Sequence, residues 1–129
     1  MVVWRRRAEL EVLLLHRSLF GKDFSGDWAW TTPGGAREPG EPPAAAAARE
    51  LSEETGLSLV CRPVRSAVAE AQREFDVDVF VAEATADDTI RLSDEHDRYQ
   101  WARRDDLDRC QPAWVGQMYR EVLDAVGEA

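Results

Sequence analysis

Arg49-Glu50-Leu51-Ser52-Glu53-Glu54 puts carboxylates at positions 50, 53 and 54. On a helix this i, i+3, i+4 spacing aligns them on one face. Three like charges there repel one another, and a plain solvated face would mix in Lys or Arg at those offsets. A divalent cation removes the conflict. Mg²⁺ takes hard oxygen ligands and bridges protein carboxylates to substrate phosphates. The chemistry to expect is metal-assisted attack on a phosphate-bearing substrate.

Three further features converge on that face. Pro33-Gly34-Gly35 gives a backbone that bends sharply and approaches a ligand closely. Glu41 lies in the loop that follows. Arg49 precedes the acidic trio and is able to fork onto a carboxylate, fixing its rotamer. Loop, bend and acidic helix together suit a metal-bound pyrophosphate.

The elements that must position these residues are legible from pattern. Pro42 and Pro43 suit a first helical turn, Ala44 to Ala48 favours helix, and Gly56 suits its end. A helix is therefore predicted from about 43 to 55. Glu9 to His16 alternates and then turns wholly apolar, as a strand entering a core does. Residues 17–27 read as a loop, and Trp28 to Thr32 as a short strand. Leu57 to Cys61, Val64 to Ala71, Phe75 to Ala84 and Arg98 to Ala102 read as extended, with Ile90 to Leu92 a short apolar stretch. Asp105 to Arg109 reads as one helical turn. Pro112 to Val126 has helical apolar spacing. The expected fold is α/β (α+β), a mixed β-sheet layered between helices.

With 129 residues, 44% of them apolar, the chain is expected to form one domain over residues 1–129. No run approaches the roughly 18 apolar residues that span a bilayer. The start, Met1-Val2-Val3-Trp4-Arg5-Arg6-Arg7, reverses the order of a secretory leader, so a cytoplasmic location is expected. Cys61 and Cys110 form no metal-binding pair and read as reduced thiols. A net charge of −9 disfavours binding to nucleic acid but not to a small anion presented with its cation.

The residues resemble the Nudix hydrolase family. Its signature is G-x5-E-x7-R-E-U-x-E-E-x-G-U, with U bulky and aliphatic. Here Gly35, Glu41, Arg49, Glu50, Leu51, Glu53, Glu54, Gly56 and Leu57 occupy every fixed position. Trp30-Thr31-Thr32-Pro33-Gly34-Gly35 resembles the family's entry into the box. Ser93-Asp94-Glu95-His96 with Tyr99-Gln100-Trp101 resembles a downstream segment that often supplies another acidic residue.

The resemblance implies an α/β/α sandwich carrying a catalytic loop–helix–loop. It implies Mg²⁺-dependent hydrolysis of a nucleoside diphosphate linked to another moiety, with Mn²⁺ as a substitute ion. Glu50 and Glu54 are the implied metal ligands, joined by Glu53 and the Gly34 carbonyl. Arg49 orients a glutamate, and Glu41 meets the metal through water or is simply structural. Glu53, Glu54 and Glu95 are all candidates for the general base. Gly35, Glu41, Trp28 and Trp30 are candidate substrate contacts. A catalytically silent nucleotide sensor of the same fold is the competing reading, and the intact charged positions argue against it.

Outside the box the residues say less. Glu95 reads equally as a catalytic carboxylate or a solvated loop charge, and His96 as a surface or hydrogen-bonded histidine. Trp28 and Trp30, two residues apart, should share a face if both lie in a strand; one is able to stack on a base while core packing suits the other. Trp101 reads as core, Trp114 as lid, interface or core, and Arg5 to Arg7 as a polar turn. Gln72, Arg73 and Glu74 stand where relatives specific for ADP-ribose or dinucleoside polyphosphates carry a proline or tyrosine. A small nucleotide, foremost a nucleoside triphosphate, is the favoured partner. A homodimer is one option for an enzyme this small.

Overall fold

Val12 to Leu15 occupy the centre of the molecule because all four side chains are buried, two on each face of one strand. A computed structural model describes residues 1–19, 21, 23–24, 26–64, 78–85, 87–109 and 113–127. The elements are β1 (Val2–Arg6), β2 (Leu10–Arg17), β3 (Trp30–Thr31), α1 (Pro43–Thr55), β4 (Arg62–Pro63), β5 (Phe80–Glu83) and β6 (His96–Arg103), then a 3₁₀ segment (Arg104–Arg109) and α2 (Ala113–Gly127).

The strands among the described residues form one mixed sheet. β6 runs antiparallel along one edge of β2, from Glu11 to Arg17. A strand has only two edges, so β1 and β3 share the other. β1 pairs at Leu10 to Val12 and β3 at Leu15 and His16. β5 then joins β1 in parallel, and β4 pairs antiparallel with β5.

Helices cover both faces. Val12 and Leu14 pack with Ala102, Leu107 and the α2 residues Val115, Tyr119, Val122 and Leu123. Leu13 and Leu15 point the other way, toward Val3, Ala82, Leu57 and Leu51 of α1. Burial on both sides explains why β2 reads as an unbroken apolar run rather than an alternating one. The expected layered α+β architecture is the observed one.

Several boundaries shift. The predicted helix at about 43 to 55 is found as α1. The Arg98 to Ala102 strand extends to His96–Arg103, and the turn at Asp105 to Arg109 is the 3₁₀ segment. Leu57 to Cys61 forms no ladder, although Leu57, Leu59 and Cys61 still turn inward. Ile90 and Leu92 pack against the same cluster without strand pairing. Within Phe75 to Ala84 the described residues 78–84 contain the strand Phe80–Glu83; residues 65–77, and with them most of Val64 to Ala71, lie outside the described residues.

The reading of Arg5 to Arg7 as a polar turn is corrected. Arg5 and Arg6 belong to β1, and Arg5 is buried, bonded to Glu11 at 2.8 Å and stacked 4.1 Å over the Trp101 ring. A guanidinium tolerates that site because its charge is paired and its plane stacks. Cys61 is a free thiol, and Cys110 lies outside the described residues. No helix among the described residues is long and apolar enough to cross a membrane.

Candidate active site

Local chemistry sets the bounds of α1. Pro43 begins it, where a missing N–H costs nothing. Gly56 ends it at φ 75°, its N–H bonding the Ser52 carbonyl at 2.9 Å. Leu51 anchors the helix in the core. Glu54 and Thr55, three and four residues on, share its buried face. Helical periodicity thus carries one carboxylate inward while Glu53 stays exposed.

Arg49 organises the outer side of the helix. Its Nε and Nη2 donate to Glu41 Oε2 and Oε1 at 2.9 and 3.0 Å, a bidentate fork. Nη1 donates to Glu50 Oε1 at 3.0 Å and reaches Glu53 at 3.3 Å. Nη2 also meets the Ala36 carbonyl at 3.2 Å. The fork onto Glu41 holds that carboxyl down to about 2, helped by the Glu38 N–H. Glu41 therefore ties the incoming loop to the helix, with both its oxygens engaged.

Glu54 has a different environment. Its Oε2 accepts the Gly34 N–H at 2.8 Å, while Oε1 lies 3.8 Å from His96 Nδ1. Gly34 thus meets this glutamate through its amide. Burial pushes the Glu54 carboxyl up to about 7, the Gly34 N–H opposes that, and the charges of Glu50 and Glu95 add to it. Among the described residues, ligand atoms of Glu54, Glu95 and His96 lie within 4.8 Å of one another. The structure therefore brings Glu95, from the turn before β6, to Glu54, while Glu50 and Glu53 are turned to Arg49.

For His96 the surface alternative is corrected. The residue is buried, not a surface group, and its Nδ1 has no hydrogen-bond partner. Burial lowers its pKa. A bulge explains its direction. The register passes from His16↔Arg98 to Arg17↔His96, leaving Asp97 as the extra residue. Simple alternation from Trp101 would send residue 96 to the α2 side; the extra residue returns it to the α1 side. Ser18 pins the bulge, its N–H on the Glu95 carbonyl at 3.0 Å and its Oγ on the Asp94 carbonyl at 2.7 Å. Asp97 meets His16 Nδ1 at 2.8 Å, and His16 Nε2 donates to the Phe24 carbonyl at 2.6 Å. Two-residue alternation gives no sign of such a bulge.

Gly35 stands against Glu50. A Cβ placed there would come within 2.6 Å of the Glu50 carboxyl carbon, so only glycine permits this approach. Gly34 to Pro43, with Ala46, Ala47, Glu50, Asp78 and Phe80, line a cleft of about 880 Å³.

The tryptophans diverge. Of Trp28 and Trp30, only Trp30 is in a strand. Trp28 precedes it in a turn at φ 67°, so the alternation argument does not apply. Trp30 packs in the α2-side core, with His16 at its edge 5.0 Å away and Arg98 over its ring. Trp28 is exposed and meets the exposed Trp114 edge-on at 5.8 Å. Neither tryptophan lines the cleft.

Comparison with known proteins shows the family. A family model described as NUDIX domain matches residues 1–125. A Myxococcus xanthus octanoyltransferase is 39% identical over 106 residues, covering 78% of this chain and 28% of that protein. A Mycobacterium tuberculosis protein named as a proposed 8-oxo-dGTP diphosphatase is 44% identical over 61 residues, 47% of this chain and 27% of its own. The chain thus spans little more than a quarter of these relatives. Among solved structures, a C. elegans Ap4A hydrolase complex superposes with a TM-score of 0.73 at 24% identity, covering 99% of this chain and 96% of that one. The E. coli dihydroneopterin triphosphate pyrophosphohydrolase does so at 0.69 and 19%, over 96% and 92%. These last two likenesses establish the fold.

Proposed function

We propose, from the premise that this chain belongs to the NUDIX domain family, that residues 1–129 act as one Mg²⁺-dependent pyrophosphohydrolase domain on a small nucleotide, foremost a nucleoside triphosphate. The observation that carries this reading is the meeting of Glu54 and Glu95, far apart in sequence, beside the Gly34-Gly35 bend.

The residues fit a divalent cation. Two carboxylates and an unpartnered buried imidazole nitrogen face one another, an arrangement that is costly without a ligand. Glu54 and Glu95 would hold the ion, with Glu50, Glu53 and the Gly34 carbonyl as further proposed ligands. When bound, such an ion neutralises phosphate charge and lowers the pKa of water. Gly35 lets the backbone and Glu50 close together. Arg49 positions Glu50 and Glu53 and is anchored by Glu41. Water attacks one phosphorus, its proton passes to Glu53, Glu54 or Glu95, and the P–O bond of the anhydride breaks to release a phosphate or pyrophosphate group.

Trp28 offers an exposed ring for the aromatic part of the substrate, whereas Trp30 is largely occupied by packing. Names of relatives that mention 8-oxo-dGTP, Ap4A and dihydroneopterin triphosphate support a nucleotide-like substrate.

The test is phosphate or pyrophosphate release from nucleoside triphosphates, nucleotide sugars and dinucleoside polyphosphates, with Mg²⁺ and with chelator. Turnover is expected only with metal, and Glu54→Gln should lower kcat at least a hundredfold, on the order of a misplaced catalytic constellation. Ligand-induced stabilisation with no turnover of any class would overturn the hydrolase reading.

A further inference from the structure

His96 has a feature that packing does not explain. Its residue is only 7% exposed, yet Nδ1 has no hydrogen-bond partner. Buried polar atoms are normally satisfied, and an orphan in a folded protein marks an unfilled interaction. Nδ1 faces Glu54 Oε1 at 3.8 Å, too far for a hydrogen bond. Two donor atoms on one small dication are separated by at most about 4.3 Å, since each lies roughly 2.1 Å from it. The His96–Glu54 distance falls inside that limit. Glu95, whose ligand atom lies within 4.8 Å of the others, is exposed.

We propose that His96 Nδ1 is a nitrogen ligand of the ion shared by Glu54 and Glu95, giving this centre a preference for Mn²⁺ over Mg²⁺. The inference rests on the metal-dependent reading above. Mg²⁺ favours oxygen donors and dehydrates reluctantly, whereas Mn²⁺ takes the same carboxylate and water ligands and, as a first-row transition ion, tolerates one imidazole among them better than Mg²⁺ does. The bulge at Asp97 turns the imidazole toward Glu54, and Gly34 holds the opposite oxygen of that glutamate, leaving Oε1 toward the histidine.

The chain has only two histidines, which makes the test decisive. His16 is wholly buried with both ring nitrogens bonded, so an imidazole nitrogen coupling from bound Mn²⁺ is assigned to His96, and its loss in a His96 variant separates it from the buried Met1 amine and from backbone amides near the ion. Pulsed EPR of the tag-free protein loaded with Mn²⁺ should show ¹⁴N hyperfine coupling. In His96→Leu the coupling should vanish and Mn²⁺ affinity should fall on the order of tenfold, with Mg²⁺ affinity within about twofold of the starting value. Bound Mn²⁺ without nitrogen coupling, or equal weakening of both ions, overturns the proposal and leaves the hydrolase reading standing. Failure of the unaltered protein to bind either ion overturns both. If His96→Leu does not fold, His96→Gln serves in its place, and the same loss of the imidazole coupling decides.

Discussion

The Arg49 guanidinium and the Glu41 carboxylate form two parallel hydrogen bonds of 2.9 and 3.0 Å, joining the loop before α1 to the middle of that helix. The same guanidinium reaches Glu50 and Glu53. One side chain therefore sets the positions of three carboxylates, and the strength of the arrangement lies in its geometry.

Replacing Arg49 with Lys keeps the charge but cannot reproduce the fork. Arg49→Lys is expected to lower kcat on the order of a hundredfold with little change in KM. Glu41→Gln should produce part of the same loss, and the double variant less than the product of the two, because the residues act as a unit. Steady-state kinetics on the four proteins checks this; fully multiplicative losses would show independent roles.

Glu41 and Glu54 should move stability in opposite directions with pH. Glu41 is held down to about 2 by Arg49, so its contribution is present above the ordinary glutamate value near 4.5 and is lost as pH falls toward 2. Glu54 is raised to about 7 by burial. In metal-free protein its proton favours the fold below about 4.5, and that stabilisation is lost as pH rises through 7. Urea midpoints from pH 3 to 8, without metal, should show Glu41→Gln losing its disadvantage toward low pH. Metal-free Glu54→Gln should gain on the unaltered protein toward pH 8, and a divalent cation should erase that gain. Parallel curves for all three proteins would refute both assignments.

The two glycines that bracket the site should separate activity from stability. Gly35→Ala drives a Cβ into the Glu50 carboxylate, so activity should fall sharply with little change in melting temperature. Gly56→Ala forces φ 75° on a residue with a side chain, beside Arg91. Its cost is about 1–2 kcal/mol of stability, with activity per folded molecule retained. Thermal melts and kinetics on both variants check the distinction.

Trp28 holds a backbone conformation that favours glycine, at φ 67°. Trp28→Gly removes the ring and the strain together, so the fold should tolerate it. If the ring stacks on the substrate, KM should rise about tenfold while kcat stays within about twofold, in keeping with roughly 1–3 kcal/mol for stacking on a base. An unchanged KM would assign Trp28 and Trp114 to another purpose.

The parts of the fold that were legible are those fixed by near neighbours. Prolines at 42 and 43, five alanines and Gly56 give α1 its ends. The apolar run of β2 announces a strand buried on both sides. What resisted reading depends on distant partners. Trp28 looked like strand but lies in a turn, because β3 pairs with β2 only at Trp30 and Thr31. Arg5 reads as part of a polar turn but is buried in β1, because Glu11 pairs with it and Trp101 stacks on it from the strands beyond.

The same division runs through the candidate site. By itself the sequence determined the spacing of Arg49, Glu50, Glu53 and Glu54, since helical geometry converts those intervals directly into neighbouring side chains. Only the tertiary structure decided which carboxylate turns inward and what it meets. Leu51 must face the core, so Glu54 follows it. The bulge at Asp97 then reverses the alternation of β6 and turns His96 to Glu54, with Glu95 brought alongside by the turn before the strand. Strand register is set by the burial of a whole sheet and by the pinning of one turn, and neither is a property of the residues that end up in contact.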